Sequence, residues 1–300
     1  MRRYDKLDQL PSGDASDKLT HGCLVVEGGA LRGMYCQGVL DSLMMNDINF
    51  DCLIGVSSGA MNGVNYLSGQ IGRGPYLTLK YRPDSRFIGL RAIIENHGIT
   101  GFKYMWTRVQ ESWPLNNKMF NNPGRRFVCV ATDCSTGRAR YFEKGKDRNF
   151  LFGMQAGASI PFGSRPVMLE GRPYLDGGIA VHVPVNWAIK QGYEKIVVIR
   201  TRDRDYKASR EYSDTLIRAL YQRRFPRMSE KLRFNSFIYN KEVDKLNELE
   251  HQGRIHMIAP SRSLELTLFC NDLEELADLY YLGLNDMNEK INELKKYLEG

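Results

Sequence analysis

Ser57 lies in Gly55-Val56-Ser57-Ser58-Gly59, a G-x-S-x-G pentapeptide that directly follows the apolar run Cys52-Leu53-Ile54. Glycines at Gly55 and Gly59 remove the Cβ atoms that would clash in a tight strand-to-helix turn. The hydroxyl is then left projecting from the top of a sheet, at the positive end of a helix. That is where acyl transfer needs its nucleophile. Upstream, Gly28-Gly29-Ala30-Leu31-Arg32-Gly33 follows a second apolar run, Leu24-Val25-Val26, and opens onto another helical pattern. Missing side chains in such a turn let a substrate oxygen approach bare main-chain N–H groups. Stabilising a tetrahedral oxyanion requires this, and losing one donor typically costs about 10²–10³ in rate. Arg32 in the same turn either steadies the loop or meets a phosphate.

Taken singly, each turn has an ordinary explanation. G-x-S-x-G arises by chance, and a glycine turn after a strand is more often a dinucleotide or phosphate loop. The dinucleotide reading needs glycine at the third position of the turn, where backbone must approach a pyrophosphate, and that position is Ala30. The two turns in this order, on consecutive strands, are far more specific than either.

A third motif, Asp176-Gly177-Gly178, ends the strand-like Arg172-Pro173-Tyr174-Leu175. Asp-Gly is a common structural turn, and it gains meaning only beside the other two. Together the three resemble the bacterial patatin-like phospholipase family, whose members carry G-G-G-x-[RK]-G, G-x-S-x-G and D-G-[GA] in this order. Ala158-Ser159-Ile160-Pro161-Phe162 is similar to the family's A-S-x-x-x-P segment. Val130-Ala131-Thr132-Asp133, Thr136-Gly137 and Tyr141-Phe142 resemble a family strand and hairpin, so the likeness covers roughly residues 22–200. Ala30 departs from the pattern at the third glycine.

The resemblance implies a three-layer α/β/α patatin-like fold with a mainly parallel central sheet. It implies a Ser57–Asp176 dyad without histidine, an oxyanion hole from Gly28, Gly29, Ala30, Arg32 and Gly33, and an Asp176 turn completed by Gly177 and Gly178. It further implies a lipid or other ester as substrate; no metal cluster is evident in the sequence, so no metal or other cofactor is expected. An ordinary Asp, with a pKa of about 3.9, is a poor base for a hydroxyl; Asp176 must therefore touch Ser57 and be partly desolvated.

Three rival readings remain open. One is a Ser57–Asp176–His182 triad of the α/β-hydrolase kind, although Asp176 and His182 are closely spaced and the elbow comes early in the chain. His182, between Val181 and Val183, otherwise reads as a buried, hydrogen-bonded side chain, and His97, His251 and His256 lack supporting context. The second is a catalytically inactive protein that binds a membrane surface. The third is a nucleotide-binding oxidoreductase.

The surrounding elements follow from pattern. With 300 residues, 42% of them apolar, the chain can bury a sizeable core. Met1–Gly22 is polar and reads as a loosely ordered arm (residues 1–21), followed by a core over 22–205 and a basic, helical extension over 206–300. Phe127–Thr132 is a continuous apolar strand, Ala139–Phe142 its returning partner, and Lys195–Thr201 a further strand. Between Gly72 and Pro123 the aromatics fall in short helices and loops, where a lid or acyl pocket would sit. Leu273–Tyr280 and Leu284–Leu298 recur at helical spacing and predict a pair of amphipathic helices separated by Gly283.

Six scattered cysteines without a C-x-x-C pair read as free buried thiols of a reducing, cytoplasmic compartment. No stretch approaches the roughly 20 apolar residues of a membrane span. Arg200–Arg233 holds eleven Lys/Arg against five Asp/Glu, within a chain of net charge +7. It reads as a solvated helical face or as a peripheral contact with anionic membrane. No groove-reading motif accompanies it, so nucleic acid is not an expected partner. Oligomeric state is left open.

Overall fold

The computed structural model describes residues 3–210, 212–263, 266–267 and 270–300. Ten strands occur among them: β1 (Gly13–Asp14), β2 (Thr20–Val26), β3 (Phe50–Val56), β4 (Gln70–Ile71), β5 (Arg126–Asp133), β6 (Arg138–Glu143), β7 (Val167–Leu169), β8 (Arg172–Asp176), β9 (Ile196–Ile199) and β10 (His256–Ile258). Eight form one sheet in the order β10-β9-β2-β3-β5-β8-β7, with β6 also pairing β5. From β10 to β5 every pairing is parallel; the pairings β5–β6, β5–β8 and β7–β8 are antiparallel.

Both faces of its parallel half are buried, which is why β2, β3, β5 and β9 read as continuous apolar runs. Leu24, Val26, Leu53, Phe127 and Ile199 face one core, shared with α1 (Gly33–Met45), α2 (Ser58–Leu67) and the C-terminal helix Leu273–Glu299. Their neighbours Cys23, Val25, Cys52, Ile54 and Val198 face the other, under the helices Val185–Lys190 and Asn235–His251. The result is three layers, helix–sheet–helix. All six cysteines are free and buried. No helix among the described residues is long and apolar enough to cross a membrane.

Two expectations fail. Met1 and Arg2 lie outside the described residues, but the rest of the N-terminal arm is packed rather than loose. Tyr4 and Leu10 are 5% and 7% exposed, and β1 pairs antiparallel with β4. A polar composition concealed two apolar anchors and a backbone ladder. Likewise Gly283 does not interrupt the helix, because Leu273–Glu299 is continuous. Its glycine serves packing instead: a Cβ there would lie 2.0 Å from Tyr35 O, and one on Gly38 would lie 2.0 Å from Tyr280 O. α1 and the C-terminal helix cross backbone to backbone at these two positions. Buried polar contacts flank the crossing, with Tyr280 Oη donating to Asp41 Oδ2 (2.9 Å) and Tyr35 Oη to Asp286 Oδ2 (3.0 Å).

Gly283→Ala is therefore expected to destabilise the protein by about 2 kcal/mol, the overpacking cost exceeding alanine's better helix propensity. A lowered urea midpoint at unchanged helical circular dichroism would show it.

Candidate active site

Ser57 is the N-cap of α2, with φ 53° and ψ −124°. Such a backbone costs about 1–3 kcal/mol in a non-glycine residue and persists only where neighbours enforce it. The enforcement here is close packing. A Cβ on Gly59 would lie 2.4 Å from Val26 O, and one on Gly55 would lie 2.5 Å from Ala60 N. Glycine at both positions lets the first turn of α2 sit directly on the ends of β2 and β3.

Asp176 reaches the same rim from the opposite direction. β5 pairs with β3 as far as Val56↔Val130, then continues past the rim through Asp133. β8 runs back along that projecting tip, with Asp133 opposite Tyr174 and Ala131 opposite Asp176. The carboxylate thus arrives level with the end of β3, and Ser57 Oγ donates to Asp176 Oδ2 at 2.6 Å. Asp176 is 5% exposed. Its Oδ1 accepts the Gly178 N–H at 2.8 Å, its carbonyl accepts from Thr132 Oγ1 at 2.8 Å, and its own N–H donates to Ser159 O at 2.9 Å. A Cβ on Gly177 would lie 2.4 Å from Val130 O, so glycine is required where the chain leaves Asp176.

The glycine turn abuts the same hydroxyl: a Cβ on Gly28 would lie 2.9 Å from Ser57 Cβ. Glu27 Oε2 accepts the Thr201 N–H (2.6 Å), and Thr201 Oγ1 donates to Gly28 O (2.7 Å), which fixes the turn against the end of β9. The amides of Gly29 and Ala30 meet no acceptor among the described residues. Ala30 adopts φ 50°, the left-handed region that glycine takes at no steric cost. Arg32 lines the cavity beside the turn, and one of its terminal nitrogens donates to Leu266 O at 3.4 Å. Gly33 lies against Ser58 and Asn62, and Asn62 Nδ2 donates to its carbonyl at 2.8 Å.

Ser57, Asp176 and the whole Gly28–Gly33 turn open into one cavity of about 290 Å³. Its walls are largely apolar, among them Leu31, Met61, Phe87, Ile99, Met105 and Trp106. The aromatic-rich segment therefore divides its work. Phe87 and Trp106 line the cavity, while Tyr81, Tyr104 and Trp113 close a small core behind it.

No histidine is among the residues lining this cavity. His97 is an exposed helix C-cap, His251 is exposed, and His256 stacks on Tyr297. His182 lies half-buried behind the Asp176 turn. Its Nε2 is 3.2 Å from Asn235 Oδ1, and its Nδ1 is 3.4 Å from Glu242 Oε2, an ion-pair contact without good hydrogen-bond alignment. Burial disfavours the imidazolium, but Glu242 and Asn235 outweigh it, and the His182 pKa lies above its ordinary value. Sequence reasoning missed Asn235, whose Nδ2 donates to Gly178 O at 3.0 Å and which also lines the cavity. A lone Asn in a polar helix start carries no signal of its own. Thr132 and Thr201, which fix the two turns, were equally silent at the ends of apolar strands.

A family model described as Patatin-like phospholipase matches residues 24–189, more than half of the chain and a span holding all three motifs. The chain belongs to the patatin-like phospholipase family. A second model, described as a Domain of unknown function (DUF6363), matches residues 225–299, so Asn235 reaches the patatin-like site from that C-terminal region. Over 184 residues (59% of this chain, 51% of the relative) the sequence is 32% identical to the uncharacterized protein YjjU of Escherichia coli (strain K12). It is 29% identical over 195 residues (57% and 64%) to the probable lipid hydrolase 463L of Invertebrate iridescent virus 6. It is 22% identical over 292 residues (87% and 17%) to lysophospholipase NTE1 of Scheffersomyces stipitis. The chain thus spans between 17% and 64% of these relatives' own lengths. Among solved structures, VipD from Legionella pneumophila aligns over 97% of this chain and 69% of its own, with TM-score 0.45 and 12% identity.

Two outcomes follow from this geometry. Ala30→Gly relieves a left-handed alanine and is expected to raise stability by about 1 kcal/mol, seen as a higher urea midpoint. His182, with a raised folded pKa, contributes stability that is fully present below the unfolded value of about 6.5 and lost as pH rises through the folded value. The stability gap between wild type and His182→Gln should accordingly be widest below the unfolded pKa of about 6.5 and narrow as pH rises above it in urea titrations.

Proposed function

We propose that this protein is a serine acyl hydrolase that cleaves lipid acyl esters through Ser57 and Asp176. The 2.6 Å hydrogen bond between Ser57 Oγ and a nearly buried carboxylate, beside a turn with unengaged amides, carries this reading. In the proposed reaction Ser57 Oγ attacks the ester carbonyl as Asp176 takes its proton. The Gly29 and Ala30 amides hold the oxyanion, and collapse of the tetrahedral intermediate returns the proton to the leaving alkoxide. Asp176 then draws a proton from water as it attacks the acyl-enzyme, and collapse of the second tetrahedral intermediate releases the acid while Asp176 returns that proton to Ser57 Oγ. Burial limits competition by water for the carboxylate, which suits Asp to a task usually given to histidine. The apolar cavity walls favour an acyl substrate, and relatives named as a lysophospholipase and a probable lipid hydrolase support a lipid ester.

The triad reading loses support because the His182 ring faces Asn235 and Glu242 and does not line the cavity. A peripheral encounter with anionic membrane also belongs to the proposal. In the basic segment Arg204 and Lys207 pair with Glu250 and Asp244, but Arg218, Arg223, Arg224 and Arg227 are exposed. Leu216, Leu220, Phe234 and Phe237 are exposed on the same stretch of chain, a mixture suited to headgroups and the first acyl carbons.

With a p-nitrophenyl ester, Ser57→Ala and Asp176→Asn are each expected to lower kcat about 10³-fold or more, while His182→Ala stays within about tenfold of wild type. Loss in His182→Ala matching that in Asp176→Asn would favour the triad. Activity should survive EDTA, and a fluorophosphonate probe should label wild type but not Ser57→Ala. Co-sedimentation with vesicles should require anionic lipid and weaken with salt.

A further inference from the structure

The cavity is not apolar throughout. Along α2 the residues Ser58, Asn62 and Asn65, spaced at i, i+4 and i+7, share one helical face, and all three line the cavity. This polar stripe leads away from Ser57 to Arg73, which opens α3 (Arg73–Tyr81) and is 1% exposed. Its guanidinium donates to three neutral acceptors: Trp113 O (3.0 Å), Gln110 Oε1 (2.6 Å) and Asn65 Oδ1. A guanidinium has five N–H groups, so two remain. Burial alone lowers its pKa to about 10.

A second, independent observation lies beside it. Gln37, 9% exposed, donates to Asn62 Oδ1 at 2.9 Å, yet its own Oε1 has no hydrogen-bond partner among the described residues. Gln37 and Arg73 both line the cavity. A plain hydrocarbon chain laid here would leave a buried cation and a buried carbonyl oxygen facing methylenes, each of which carries a desolvation cost.

We propose that this end of the cavity is a subsite for an anionic oxygen group of the substrate, a carboxylate or phosphate held by Arg73, with Gln37 Oε1 accepting from an adjoining O–H. The inference rests on the acyl-hydrolase reading and names its substrate class: esters bearing an anion at a fixed reach from the scissile carbonyl. That reach is eight residues of helix from Ser57 to Asn65, roughly 12 Å. An extended chain advancing about 3.5 Å per three bonds spans it in about ten bonds. The anion sits on the far end of either the acyl chain or the alcohol; the phosphate of a lysophospholipid, about six bonds from the scissile carbonyl, falls short of it.

The test compares two pairs of substrates below their micellar concentrations. For the acyl side they are p-nitrophenyl decanoate and mono-p-nitrophenyl decanedioate; for the alcohol side, octyl decanoate and 8-(decanoyloxy)octanoate. In one pair at least, wild-type kcat/KM for the anionic member should exceed that of its neutral partner about tenfold or more. Arg73→Met should erase that ratio, and Arg73→Lys should restore some of it. Neutral members equal to or better than the anionic ones in both pairs would overturn the subsite, and this wild-type result needs no variant to fold. Should none of the four esters be cleaved, calorimetry with decyl phosphate and decanol separates the two ideas. Tighter binding of the phosphate by wild type, lost in Arg73→Met, upholds the subsite and sinks the hydrolase reading. Equal binding sinks the subsite.

Discussion

The site depends on how closely the first turn of α2 can press against the sheet. A Cβ on Gly59 would lie 2.4 Å from Val26 O, and one on Gly28 would lie 2.9 Å from Ser57 Cβ. That contact forces Ser57 into its left-handed backbone, aims its hydroxyl toward Asp176, and brings the Gly28–Gly33 turn alongside. Any side chain at those positions would lift the helix off the strand ends and separate the three components together. The strain at Ser57 is tolerable because β2, β3 and β5 are buried on both faces and give the rim a rigid base.

Much of this arrangement was legible in the chain because backbone clearance leaves a visible trace. A strand, a glycine-flanked serine and a helix pattern fix one another's positions with little help from distant residues. The parallel neighbours β2 and β3 follow for the same reason. What escaped notice lies where the physics is non-local. Gly283 looked like a break, since sequence carries no sign that Tyr35 O would lie beneath it. The N-terminal arm looked loose, since two anchors among polar residues are too few to register as a pattern. The direction of β8 was equally hidden: only the long register of β5 shows that Asp176 comes back toward the rim rather than rising to it.

The C-terminal region is woven into the motif-bearing core rather than appended to it. β10 extends the parallel half of the sheet, the last helix crosses α1 at bare backbone, and Asn235 braces the carbonyl of Gly178. Some of the basic segment is spent on internal pairs such as Arg204–Glu250, leaving a smaller set of exposed guanidiniums near exposed leucines and phenylalanines. Charge that looked uniform along the sequence is thus sorted by the fold into structural and outward-facing portions.

The tip of β5 and the reversed course of β8 have an evolutionary consequence. Serine and carboxylate are fastened to β3 and β8, the two strands that flank β5 in one hydrogen-bonded sheet, while the cavity wall from Phe87 to Gln110 lies outside that sheet. Insertions or deletions in that wall alter the vestibule without changing the pairings that space the reacting pair. A lineage built on this frame can therefore retool what it admits while its chemistry stays anchored.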